Sequence, residues 1–288
     1  MSSAPSLAPL ARVETLTLAD AAARARVVIA PGRGGMVTRF DVGGRPVLFL
    51  DEATLVDETK NVRGGNPVLF PSPGPLAGDH FTRQGRSGSM KQHGFARQRA
   101  WSVLMASTHE ATLELSSDEA THAQFPWDFV ARLRYALAGT SLTVETRIEN
   151  RSDTPMPFAL GFHPYFHVAS VDKARARVPT TATRAWDNVA KQLGDLRGPI
   201  DLTQKEVDLH LVDHTGNSAT LYRGDDCIVV AADPEMGRWV VWTLAGKDFV
   251  CLEPWTAPAD ALNTGEKLLT LSPGGSKTIT MTITLVTP

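Results

Sequence analysis

Cysteine is nearly absent. Cys227 and Cys251 are the only two in 288 residues, too few for a disulfide framework, and neither lies in a Cys-x-x-Cys pair of the metal-binding kind. Both are expected as buried free thiols. No sign of charge dominates either: 29 Lys and Arg against 31 Asp and Glu leave a formal charge of -2, which offers no polyanion-binding surface and argues against nucleic acid as a partner. No apolar run approaches a bilayer span, and the opening stretch Met1–Leu10 has no basic residue ahead of a sustained apolar segment. These absences predict a cytoplasmic chain with no membrane association. Also missing are a 3.6-residue apolar stripe, an internal repeat, a clear linker, a Gly-x-Ser-x-Gly elbow, a Walker loop and a dinucleotide-type Gly-x-Gly-x-x-Gly opening a helix. Any chemistry is therefore expected to run on acids and bases, without a cofactor.

What the sequence does contain is alternation. Leu113 to Leu115, Val130 to Leu137 and Leu142 to Ile148 send apolar and polar side chains to opposite faces, and Ile279, Met281, Ile283 and Leu285 alternate with Thr278, Thr280, Thr282 and Thr284. A helix cannot segregate that pattern. Earlier in the chain, Val13 to Asp20 reads as a first edge strand, and Val27–Ala30 and Met36–Phe40 as a pair about a glycine turn. A further strand is expected at Val47–Leu50. Residues 63–78 hold too much proline and glycine for a regular element and are expected as an ordered loop lining a site. Short helical turns are expected near Asp118–Gln124 and Trp186–Gln192. The sum predicts an all-β protein: a single large antiparallel β-sandwich over residues 1–288, with residues 1–12 as a loose tail.

The run Phe158–Phe166 places His163 in an aromatic, strand-forming stretch broken by Gly161 before it and Pro164 after it. Two readings fit. One is a buried, hydrogen-bonded histidine at a strand end; the other is a pocket wall that holds one ring nitrogen at a fixed point. Glu253 follows the apolar run Phe249–Leu252 and precedes Pro254-Trp255, so its carboxylate is expected to be partly desolvated and a stronger base than an exposed glutamate. Arg63, Gln92-His93 with Arg97, and Asp208 are further candidates, each of which also fits a structural or solvated side chain. His163 and His167 are four apart, but on a strand that spacing is about 13 Å, too far to chelate one metal ion. No metal is expected.

Three motifs in register carry a family resemblance: His93-Gly94-Phe95-Ala96-Arg97 with Trp101, Gly161-Phe162-His163-Pro164-Tyr165-Phe166, and Glu253-Pro254-Trp255-Thr256 with Ala261-Leu262-Asn263-Thr264-Gly265. In that order they resemble the aldose 1-epimerase (galactose mutarotase-like) family over roughly residues 25–286. The resemblance implies a β-sandwich with a sugar site on one concave sheet, His163 as general acid and Glu253 as general base. It also implies substrate contacts from Arg63, Gln92, His93, Arg97 and Asp208, with Trp255 and Phe162 as apolar faces for the ring. Arg63-Gly64-Gly65 with Pro67, and Gln92 before His93, resemble the hexose-6-phosphate branch, whose matching residues contact the phosphate. Phe70–Pro75 instead resembles a branch acting on free aldoses, except that Pro75 stands where that branch often has arginine. The expected substrate is therefore a free hexose or a hexose 6-phosphate. A non-catalytic carbohydrate-binding sandwich is the competing class; a glycosidase using Glu253 and Asp208 would leave His163 and His93 unexplained.

Overall fold

The computed structural model describes residues 13–288; the expected loose tail over residues 1–12 lies outside them. Two large antiparallel sheets form the body. One has seven strands, in the order Ser218–Arg223, Asp226–Ala232, Ser276–Val286, Ser141–Asn150, Phe129–Ala138, Glu110–Ser116, Ser102–Ala106. The other has eight: Gln192–Asp195, Arg184–Asp187, Glu206–Leu211, Arg238–Leu244, Phe249–Trp255, Gly161–Phe162 and Val68–Leu69 in order, with Tyr165–His167 also pairing with Phe249–Trp255. A four-stranded sheet, from Leu16–Asp20 to Arg45–Pro46, completes the sandwich, and the strand expected first in the chain is its edge. No helix among the described residues is long and apolar enough to cross a membrane.

Period-two patterning explains why these faces meet. In Ser276–Val286 the residues Ile279, Met281, Ile283 and Leu285 are buried while the threonines between them are not. Each such burial contributes about 1.5–3 kcal/mol. Phe129–Ala138 and Ser141–Asn150 repeat the alternation over ten residues each. The opposite face of that sheet is wet, and carries a ladder in which Arg132 pairs with Glu114 and Glu149, and Arg134 with Glu110 and Glu145. The apolar faces join in one cluster that includes Val27, Phe70, Phe129, Phe162, Trp239 and Ile283.

Four local expectations need correction. Val47–Leu50 is no strand; it makes isolated bridges from Leu48 to Phe166 and from Leu50 to Gly64. Trp186–Gln192 is the turn of a hairpin between Arg184–Asp187 and Gln192–Asp195, not a helical turn, because Trp186 pairs with Leu193 on one side and His210 on the other. Residues 63–78 are mostly irregular but contain the two-residue strand Val68–Leu69. Phe162 is buried in the core cluster and does not face the cleft. Side chains alternate along a strand, so His163 faces the cavity and Phe162 the other way.

Candidate active site

The Glu253 strand is the spine of the site. Gly161 pairs with Trp255, and Tyr165 pairs with Cys251, so residue 163, midway between them, falls opposite Glu253. Pro164 and Gly161 interrupt the strand here without moving that register. His163 Nδ1 lies 3.4 Å from Glu253 Oε1, in a geometry that makes no hydrogen bond, and Nδ1 is buried without a partner. The imidazole and the carboxyl are thus side by side, not across a ring from each other. That suits an anomeric centre, whose O1 and O5 are bonded to the same carbon. Because Nδ1 is sealed, a substrate atom can reach the imidazole only by its Nε2 edge.

Aromatic rings fix both groups. Tyr165 stacks on His163 at 4.7 Å between ring centroids, while His93 and Trp242 meet it edge-on at 5.4 and 5.7 Å. Glu253 Oε2 accepts a hydrogen bond from Trp255 Nε1 at 3.2 Å. These walls exclude water, and burial moves the two groups in opposite senses. Burial, helped by the positive field of Arg97, lowers His163 to about 3. Burial, with Asp208 nearby, raises Glu253 well above the carboxylate range. Both directions favour the carboxyl as the holder of the one shared proton.

Arg63, Gln92, His93, Arg97, His163, Asp208 and Glu253 all line one cavity of about 1090 Å³. His93 accepts a hydrogen bond at Nδ1 from the Gly74 N–H, 3.0 Å away, so the proton of its neutral ring is on Nε2, which lies 3.1 Å from the Gln92 side-chain amide. Burial keeps it neutral. Asp208 is held by Asn188 Nδ2 at 2.6 Å and lies 3.4 Å from His210 Nε2. Burial alone would raise Asp208, but those bonds outweigh it and lower it, so it stays an acceptor at neutral pH. Arg97 donates to the Gln92 carbonyl at 2.8 Å, and its buried Nε has no partner. Arg63 lies 6.0 Å from the Trp242 ring. Neither arginine has a carboxylate partner among the described residues. Pro75 also lines the cavity and brings no cation to it.

Several lining residues were not singled out from the sequence: Tyr165, His210, Arg238, Trp242 and Trp186. An arginine opening the apolar strand Arg238–Leu244 was the available signal. For metal, His163, Cys251 and Glu253 offer three ligand atoms within 4.8 Å of one another. Burial raises the Cys251 thiol well above its usual range.

The antiparallel sandwich is the fold of galactose mutarotase-like structures, and its larger sheet carries the buried His–Glu pair in an open cleft. The family model described as Aldose 1-epimerase matches residues 14–284, and the chain belongs to that family. It is accordingly an isomerase of the epimerase (mutarotase) type in carbohydrate metabolism. Among solved structures, the Slr1438 protein from Synechocystis sp. PCC 6803 is 37% identical with a TM-score of 0.93, over 96% of this chain and 97% of that one. A galactose mutarotase-like protein from Lactobacillus casei shares the fold, with a TM-score of 0.76 at 23% identity over 95% of this chain and 100% of that one. The Cenchrus ciliaris protein named "Putative glucose-6-phosphate 1-epimerase" is 28% identical over 80% of this chain and 67% of its own length.

Proposed function

We propose that the chain interconverts the α and β anomers of a hexose 6-phosphate, with free hexoses as weaker substrates. The observation that carries this is the pairing of contacts in one cavity. His163 and Glu253 lie 3.4 Å apart, and Arg63 and Arg97, two guanidiniums without a carboxylate partner, line the same cavity. Arginine suits phosphate because its fork matches the oxygens and keeps its charge. The name of the Cenchrus ciliaris relative supports the same substrate class.

The reaction needs a proton removed from O1 while another reaches O5, after which the C1–O5 bond opens. Glu253 takes the first proton and His163 Nε2 delivers the second. Rotation about C1–C2 and the reverse transfers close the ring in either configuration, and no atom is gained or lost. Before substrate binds, burial favours the shared proton on the wrong partner, the carboxyl. A phosphate dianion beside Arg63 and Arg97 offsets the positive field that helps to lower His163, and so draws the proton toward the imidazole. Phosphorylated substrate thereby prepares its own acid. Asp208 and His93 hold ring hydroxyls, and Gln92 supports the phosphate. The shared apolar cluster, with strands from both ends of the described chain, supports treating it as one domain.

Polarimetry on freshly dissolved α-glucose 6-phosphate tests the chemistry. His163→Ala and Glu253→Gln are each expected to lower kcat by about a hundredfold or more with unchanged circular dichroism; acceleration at the normal rate by either variant would remove the mechanism. Arg63→Ala is expected to raise KM for glucose 6-phosphate by about tenfold or more and to leave KM for glucose nearly unchanged. Equal changes for both sugars would remove the phosphate assignment.

A further inference from the structure

Arg238 is a buried cation that the proton transfers do not use. It lines the cavity, is 7% exposed, and its Nε is buried with no hydrogen-bond partner. Its charged partner is Glu266 Oε1 at 3.3 Å, on a side chain that is itself more than half exposed. An unfilled donor on a buried guanidinium is costly, and a bound acceptor would recover that cost.

Sheet register indicates which acceptor. Val240 pairs with Glu253 on one side and His210 on the other, and Arg238 and Trp242 are its like-facing neighbours along the strand. Strands lie about 4.8 Å apart and like-facing residues about 7 Å apart, so these four side chains frame a patch of about hexose size centred on Val240. Arg63 lies against Trp242, while Arg97 donates to the Gln92 carbonyl, beside His93, whose ring packs on His163 and Trp255. Of the two arginines proposed for the phosphate, Arg63 thus marks the Trp242 end of the patch. Arg238 marks the other end, beside Trp255, with which it pairs across the sheet.

With C1 and O5 at Glu253 and His163 and the C6 phosphate at the Trp242 end, the ring has one remaining sense. C5 and C2 lie on opposite sides of the line from C1 to C4, so C2 is turned toward Arg238. We propose that Arg238, braced by Glu266, donates a hydrogen bond to the C2 hydroxyl and restricts the enzyme to hexoses with a neutral oxygen acceptor at C2. This rests on the function proposed above for the orientation of the ring.

The test compares glucose 6-phosphate with 2-deoxyglucose 6-phosphate on the unaltered protein, each corrected for spontaneous mutarotation. The expected kcat/KM is at least about tenfold lower for the deoxy sugar. Arg238→Met is expected to lose about that factor on glucose 6-phosphate and to change little on the deoxy sugar, with Arg238→Lys in between. Glucosamine 6-phosphate, whose C2 ammonium would face a guanidinium, is expected to be turned over least. Equal rates on glucose 6-phosphate and its deoxy analogue, or equal losses on both in Arg238→Met, overturn the assignment of Arg238 and leave the proposed reaction standing. No acceleration of any hexose phosphate by the unaltered protein overturns both. If Arg238→Met fails to fold, Arg238→Lys gives the same reading: a loss on glucose 6-phosphate but not on the deoxy sugar supports the assignment, and equal losses on both overturn it.

Discussion

Lined by the same rings, His163 and Glu253 lose the same water, and the loss pushes one down and the other up. In the proposed mechanism the pair must hold one proton. Adding a second, to His163, inactivates it; this is the acid limb of the pH profile, and a lowered histidine moves that limb to the acid side of the ordinary value of about 6.5. Removing the shared proton is the basic limb, and a raised carboxyl moves it upward. The expected kcat/KM profile for free glucose, chosen because a phosphate ester ionises near pH 6 itself, has its acid limb well below pH 6.5. A limb centred near 6.5 would mean an exposed imidazole and contradict the burial argument. At this scale His163 and Glu253 were legible because each is a polar residue in a strand-forming apolar run. Arg238 and His210 were less so, since their positions in the cavity depend on which strand lies beside which, and cross-strand register is not a local property of sequence.

The strand Phe249–Trp255 is buried along its whole length, and its neighbours must leave room for the Trp255 indole. Gly161 does so. A Cβ there would stand 2.8 Å from Trp255 Cδ1 and 3.1 Å from Pro73 Cβ. Gly161→Ala is therefore expected to displace the indole that donates to Glu253, to cost about 1–3 kcal/mol of stability, and to lower kcat by about tenfold or more. A variant with normal kcat would show that Trp255 does not position the carboxylate; denaturant titration and polarimetry read the two effects separately. Long alternating strands such as Ser276–Val286 were readable because packing on one face leaves its period in the sequence. Val47–Leu50 and Trp186–Gln192 were not, since short segments owe their form to tertiary partners, here Phe166 for Leu48 and Leu193 with His210 for Trp186.

The molecule as a whole divides its polar residues between two jobs. The seven-stranded sheet turns an Arg–Glu ladder to solvent, where such pairs contribute little each, while the eight-stranded sheet turns a second polar face into a cavity where Arg63 and Arg97 have no carboxylate partner among the described residues. The architecture was legible from patterning, and the family from three motifs. The side-by-side contact of His163 and Glu253 emerges only when Gly161 is set against Trp255 and Tyr165 against Cys251. That contact is the centre of the account. Magnetisation exchange between the two C1 resonances of glucose 6-phosphate labelled with carbon-13 at C1 tests it most directly. The unaltered protein is expected to speed the exchange between the α and β signals without any net change in composition, and Glu253→Gln to return it to the spontaneous rate. Exchange at the unaltered rate in Glu253→Gln, or none above the spontaneous rate with the unaltered protein, would contradict it.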